Sequence, residues 1–363
     1  MRVFPILIFL VLCLGTGVGQ NTKTDDLPSA PSAVSEQKAA PAKPAPSFPA
    51  PPAPPPLEQE QPSGPAIKAS NGSGTEKPDT DPSSTTITKT VNEVNVVFTV
   101  TDKHNRYVKD LAKADFKVID DEKPVSEIRS FRRETDLPLQ VGLLIDASNS
   151  IRDRFKFEQE SAIEFLNDTI RRRYDQAFVI GFDDKPELTQ DFTDNMELLS
   201  KGVRMMHPGG GTALYDALYF AARDKLLKSQ QSDSVRRAII LVTDGEDNSS
   251  HVTREEAIEM ALRADVIVYT ISTNFGGSGD SDKYDKILDR IADATGGRSF
   301  RPFQLSDVAN AFSEIQNDLR SQYALSYHPA GFAHDGRYRS IEITANRKGL
   351  KVRSRNGYYA PAE

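Results

Sequence analysis

Cysteine and tryptophan are almost missing from this chain. Its 363 residues include one cysteine, Cys13, and no tryptophan. A lone thiol closes no internal disulfide, so packing and bound ions must supply the stability. The five histidines are scattered without His-x-x-x-His spacing, which argues against a zinc centre. No Gly-Lys-Ser/Thr phosphate loop occurs, and no Ser/His/Asp set sits in a recognisable context. The net charge is −7 and the densest basic run is Arg171–Arg173, too little to neutralise a phosphate backbone. That run comes after a predicted helix, where it complements the helix dipole and faces water.

Long apolar runs are also scarce. The only one at the N-terminus, Val3–Leu14, comes after Arg2 and precedes the small residues Gly17-Val-Gly19. It is too short for a comfortable membrane span and reads as a secretory signal over residues 1–19, an uncleaved anchor being the alternative. Residues 20–88 are rich in Pro, Ala and Ser, with Pro49-Ala-Pro-Pro-Ala-Pro-Pro-Pro56 at the centre. Such a tract buries too little apolar surface to offset its ordering entropy. The expectation is a disordered linker with a stiff core of about 3.1 Å per residue, holding an exported protein in or outside the cell envelope.

Beyond residue 88 the composition becomes that of a foldable chain. Val94–Thr101, Phe116–Asp120 and Val125–Phe131 read as strands, as do Gln322–His328, Tyr338–Thr344 and Leu350–Arg355 at the other end. In the second group Arg339, Ile341 and Ile343 alternate with Tyr338, Ser340, Glu342 and Thr344. Each group is too small for a good core alone. The expectation is that 89–135, an Ig-like half, packs with 321–361 into one β-sandwich, with residues 137–320 inserted between them.

Between the flanks strand and helix alternate. Strands are expected at Leu139–Ile145, Gln176–Phe182, Ala238–Thr243, Val266–Ser272 and Arg298–Arg301. Helices are expected at Phe155–Ile170, Asn195–Arg204, Ala213–Leu227, Arg254–Ala264, Lys283–Thr295 and Asp307–Ser321. Runs such as Ala-Ile-Ile-Leu-Val are apolar on both faces, as a parallel sheet covered on both sides requires. The fold class is therefore α/β: a doubly wound, mostly parallel sheet with a small flanking β-sandwich. Ligands on such sheets bind at the carboxyl ends of strands, where Asp146 and Asp244 fall.

Three loops at that edge carry oxygen. The first strand runs into Asp146-Ala-Ser148-Asn-Ser150; Gly209-Gly-Gly-Thr212 and Leu241-Val-Thr-Asp244-Gly-Glu-Asp lie downstream. An all-oxygen set with few carboxylates suits a hard divalent cation better than zinc or copper. Taken singly, each is an ordinary feature: Ser148 or Ser150 as a helix cap, Gly209–Gly211 as a loop, Asp244-Gly245 as a turn. Glu246, Asp247 and Asn248 are read as facing solvent, with attraction of cations to the site as the alternative. Asp183 and Asp184 are read as close to the same face without being ligands. Asp216 either orients the site or caps its helix, and His207 is a loop residue.

Together, and in this order, these segments resemble the metal-ion-dependent adhesion site of the von Willebrand factor type A family, over about Leu137 to Arg320. The resemblance implies that Ser148 and Ser150 ligate a cation through their hydroxyls. It further implies Asp146 and Asp244 close by, often through water, and Thr212 bound directly or through water. The ion would be Mg²⁺, with Mn²⁺ or Ca²⁺ possible, and one open position would take an Asp or Glu from a protein partner. That makes the chain a protein-binding module with no catalytic residues, no nucleic-acid partner and no membrane span beyond the N-terminal segment. Two alternatives stay open: a Mg²⁺-dependent hydrolase, and a structural domain whose site stays empty.

Overall fold

The structure, a computed structural model, describes residues 93–134, 137–229, 235–275, 281–331 and 333–362. The signal expected over 1–19 and the linker expected over 20–88 lie outside these residues. Among the described residues no helix is long and apolar enough to cross a membrane.

The chain begins with β1 (Val94–Thr101), β2 (Phe116–Asp120), β3 (Lys123–Pro124) and β4 (Ile128–Glu134). An α/β layer comes next: β5 (Leu139–Asp146), α1 (Phe155–Thr169), β6 (Gln176–Phe182), β7 (Pro186–Thr193), α2 (Met196–Arg204) and α3 (Leu214–Phe220). It continues through β8 (Arg236–Thr243), α4 (Arg254–Arg263), β9 (Val266–Ser272), α5 (Ser281–Thr295), β10 (Ser299–Phe300) and α6 (Asp307–Leu319). Four strands complete the chain: β11 (Gln322–Tyr327), β12 (Tyr338–Ala345), β13 (Lys351–Ser354) and β14 (Gly357–Tyr359).

The six-stranded sheet has the order β10-β9-β8-β5-β6-β7, with β7 antiparallel and the other neighbours parallel. Successive residues of its central strands feed opposite cores. Leu143, Ile145, Ile240 and Val242 pack with Phe165, Leu199 and Phe312 of α1, α2 and α6. Leu144, Ile239 and Leu241 pack with Leu218, Ala257 and Ile291 of α3, α4 and α5. Burial on both faces explains why these strands read as continuous apolar runs. Gly142 is required on β5, because a Cβ there would stand 2.4 Å from Cζ of Phe178.

Three details depart from the sequence reading. β7 is absent from the expected strands: it has no fully buried residue, so it carries no apolar run, and its leading Pro186 suits an edge strand. β10 is shorter than Arg298–Arg301. The helix expected at Ala213–Leu227 is α-helical only to Phe220 and π-helical over Ala221–Leu227. Its core residues are Leu214, Ala217, Leu218, Ala221, Ala222 and Leu226, and among them one row, Leu214, Leu218, Ala222 and Leu226, recurs every fourth position. At 3.6 residues per turn such a row drifts around the helix, and the wider π winding returns it to the core.

The flanks interleave. One sheet runs β13-β1-β11-β4 and the other β14-β12-β2-β3, so each contains strands from both ends of the foldable region. Between them Val96, Phe98, Phe116, Val118, Tyr323, Leu325, Ile341 and Ile343 form one core. The alternation in β12 is as read, with Arg339, Ile341 and Ile343 buried. The chain leaves this sandwich from β4 and returns in β11, and those strands pair with Glu134 opposite Gln322.

Candidate metal centre

β5 and β8 are adjacent, and the chain departs from β5 to β6 on one side and later fills β8 on the other. The crevice at their carboxyl ends is the switch point where such sheets take ligands. Asp146 ends β5 and Asp244 comes immediately after β8, so both acids reach the crevice from its two walls.

The loop after β5 folds on its own acid: the Ser148 N–H donates to Asp146 Oδ1 at 2.8 Å. Asp146 Oδ2 accepts from Thr243 Oγ1 at 2.7 Å, which ties the two strand ends together. Ser148 Oγ and Ser150 Oγ lie 3.0 Å apart, and Ser150 Oγ donates to Asp244 Oδ2 at 2.8 Å. Asp146, Ser148, Ser150 and Asp244 are thus linked in series, the first step through the Ser148 N–H and the others through the serine hydroxyls. The first two are 0% and 3% exposed and Asp244 8%, so these three are shielded from bulk water, while Ser150 stands exposed. Neither serine caps the helix after it, since the position before α1 is Arg154 and has no side-chain cap.

The glycine loop is fastened to this chain by backbone. Gly209 N–H donates to Ala147 O at 2.7 Å, and Asn149 N–H donates to Gly210 O at 3.4 Å. Gly210 holds φ at +65°, a conformation glycine adopts without penalty. Thr212 is 3% exposed; its N–H donates to Asn248 Oδ1 at 2.8 Å, and its carbonyl accepts from Asn248 N at 3.0 Å and Ser249 N at 3.1 Å. All three loops are therefore joined to one another.

Burial first, and the Asp244 carboxylate last, push Asp146 up to about 6 against the hydrogen bonds from Thr243 and Ser148. An acid desolvated in this way favours a nearby positive charge. Among the described residues no three His, Cys, Asp or Glu side chains gather as a metal group. The donors here are instead two carboxylates and the hydroxyls of Ser148, Ser150 and Thr212, hard oxygens that fit Mg²⁺ or Ca²⁺.

Several neighbours do more than the sequence suggested. Asp247 and Asn248 bond neighbouring backbone: Asn248 Oδ1 accepts from Thr212 N, and Asp247 Oδ1 accepts from Leu214 N at 2.9 Å and Ser250 Oγ at 2.6 Å, capping α3. Asp184 Oδ1 accepts from Gly211 N at 2.7 Å. Asp216 accepts from the backbone of His251 and Val252, both at 2.9 Å, so it fastens the loop before α4. The density of Asp, Asn and Ser over Asp244–Ser250 was the available signal, because such side chains bond local backbone.

Residues 140–318 match the von Willebrand factor type A domain. The chain carries a domain of that family. The bovine calcium-activated chloride channel regulator 1 is 30% identical over 184 residues, 49% of this chain and 19% of that protein. An uncharacterized protein of Borreliella burgdorferi is 23% identical over 201 residues, 51% of this chain and 56% of its own. The chain thus spans only part of the length of either curated relative. Solved structures similar to this chain include proximal thread matrix protein 1 from the mussel byssus, with TM-score 0.43, 14% identity, 61% of this chain and 50% of that one. The vWF domain of a type V pili tip protein from Porphyromonas gingivalis gives TM-score 0.41, 16% identity, 50% of this chain and 95% of that one.

Proposed function

We propose that this chain is an exported, divalent-metal-dependent protein-binding module that captures a partner's carboxylate at the crevice between β5 and β8. The observation that carries the reading is the bond from Ser150 to Asp244, which closes an oxygen-only set across two strands that the fold holds side by side. Ser148, Ser150 and Thr212 would hold the ion through their hydroxyls, with Asp146 and Asp244 beside them. When bound, Mg²⁺, Mn²⁺ or Ca²⁺ supplies an acceptor position for one carboxylate oxygen of an Asp or Glu side chain. The chain's own work is positional. Thr243 and the Ser148 N–H fix Asp146, while Asn248 and Asp184 fix the glycine loop, so the donors stand ready before any partner arrives. The N-terminal segment supports a place in the cell envelope or outside the cell.

Calorimetric titration of the whole chain with Mg²⁺ tests this. Saturable uptake is expected in the wild type and none in Ser148→Ala/Ser150→Ala. Peptides bearing Asp or Glu should then bind in Mg²⁺ and dissociate in EDTA. A wild type that takes up no divalent ion removes the basis of the reading.

A further inference from the structure

The rim of the β5–β8 crevice carries an arginine that metal binding leaves unused. Arg152 lies two residues beyond Ser150 and is exposed. Its Nη2 donates to Asn149 Oδ1 at 2.9 Å and to Pro208 O at 3.3 Å. Asn149 in turn donates from Nδ2 to Gly210 O at 3.2 Å. The guanidinium is thereby pinned over the seam between the loop after β5 and the glycine loop. We propose that Arg152 receives a second acidic side chain of the partner, so that the ligand of this site is a pair of acids rather than one. The inference rests on the capture of a first carboxylate at the metal, as set out above.

The bonds of Arg152 fix it without cancelling its charge. Both acceptors are neutral oxygens and both bonds leave from one nitrogen, so Nε and Nη1 still point donors at a ligand. Arg152 forms no ion pair with any described residue. A guanidinium already held in place loses little freedom when it binds.

The charge around it explains why an acid would be received there. Ionised, Asp146 and Asp244 balance a divalent ion, and a captured carboxylate then leaves the centre negative. The surrounding loops add Asp153, Asp183, Asp184, Glu246 and Asp247. Arg154 is committed to Glu158 at 3.3 Å, and Lys185 directly follows Asp183 and Asp184. A second acid is repelled over most of this rim and accepted where Arg152 stands.

Local geometry assigns Arg152 a separate side chain and not the other oxygen of the first carboxylate. Asn149–Ile151 is one 3₁₀ turn, in which residues three apart share a face. Asn149 and Arg152 both reach the glycine loop, whereas Ser150 bonds Asp244 across the crevice. The arginine therefore stands to one side of the oxygens that would hold the ion.

Calorimetry on the whole chain in Mg²⁺ tests this with blocked peptides of equal length, uncharged except for glutamate. One carries a single glutamate; the others carry a second one two, three or four residues away. The tightest two-acid peptide should bind the wild type about fivefold more strongly than the single-acid peptide, the scale of a well-placed exposed ion pair. Added salt should shrink that preference. Arg152→Gln should bind both peptides alike while taking up Mg²⁺ as the wild type does. Arg152→Lys, which keeps the charge, should retain part of the preference. The proposal is overturned if the wild type binds both peptides equally, or if Arg152→Gln keeps the preference, as it would were the arginine only a clamp between loops. Failure of the carboxylate reading is distinct: no glutamate peptide then binds at all, and this inference falls with it.

Discussion

Tyr327 donates its hydroxyl to Asp120 at 2.6 Å, inside the core shared by the two flanks of the chain. Tyr358 donates to the same carboxylate oxygen at 3.2 Å. Asp120 lies on β2, while the two tyrosines lie on β11 and β14, so one buried acid ties strands from both ends of the foldable region. Burial, and then the Asp120 carboxylate, hold both phenols well above their ordinary range. Tyr327→Phe should cost about 1–3 kcal/mol, the penalty for leaving a buried charged acceptor short of a donor. Asp120→Ala should cost at least as much. Urea unfolding of the variants measures both, and an unchanged midpoint in Tyr327→Phe would refute the role given to this bond.

Glu158 is a second buried acid, 1% exposed, with Arg154 Nε at 3.3 Å and, among the described residues, no hydrogen bond to either carboxylate oxygen. Burial raises it to about 8, Arg154 opposes, and the Asp146 and Asp244 carboxylates add to the rise. Its folded value therefore stands above its unfolded value near 4.5. The contribution to stability is fully present below that lower value and is lost as pH rises through about 8. In EDTA the wild type should lose about 1–4 kcal/mol between pH ~5 and pH ~8.5. Glu158→Gln should flatten that slope. Denaturation midpoints across the range decide, and parallel profiles for the two proteins would exclude Glu158 as the source.

Asp247 caps α3, which begins just beyond Thr212. Asp247→Ala should cost about 1–2 kcal/mol as other lost caps do. It should also weaken Mg²⁺ uptake, because the same loop holds Thr212 through Asn248. Asp247→Asn keeps an acceptor oxygen and should behave nearly as the wild type. Equal ion affinity in the alanine variant would separate the cap from the metal centre.

The layered fold was legible because its signals are local. Ala238–Thr243 and Val266–Ser272 are apolar on both faces, which only a covered parallel sheet explains. The oxygen loops were legible by their order along the chain, and the structure joins Asp146, Ser148, Ser150 and Asp244 directly. Polar edge strand β7 escaped because no buried residue marks it. The backbone bonds of Asp247 and Asn248 escaped for a related reason: polarity in a loop looks the same whether it meets water or a backbone N–H. The π winding after Phe220 becomes visible only when the four-residue apolar repeat is set against a flat core.

Because Glu134 and Gln322 face each other in one ladder, the α/β layer enters and leaves the sandwich through a single doorway. Residues 135–321 are, in topological terms, a very large hairpin loop between β4 and β11. The cost of closing a loop grows only slowly with its length, so the frame tolerates so bulky a passenger. Exchange of that passenger for a short turn should leave β4 and β11 as an ordinary hairpin and the sandwich standing, a miniature protein concealed within the larger one.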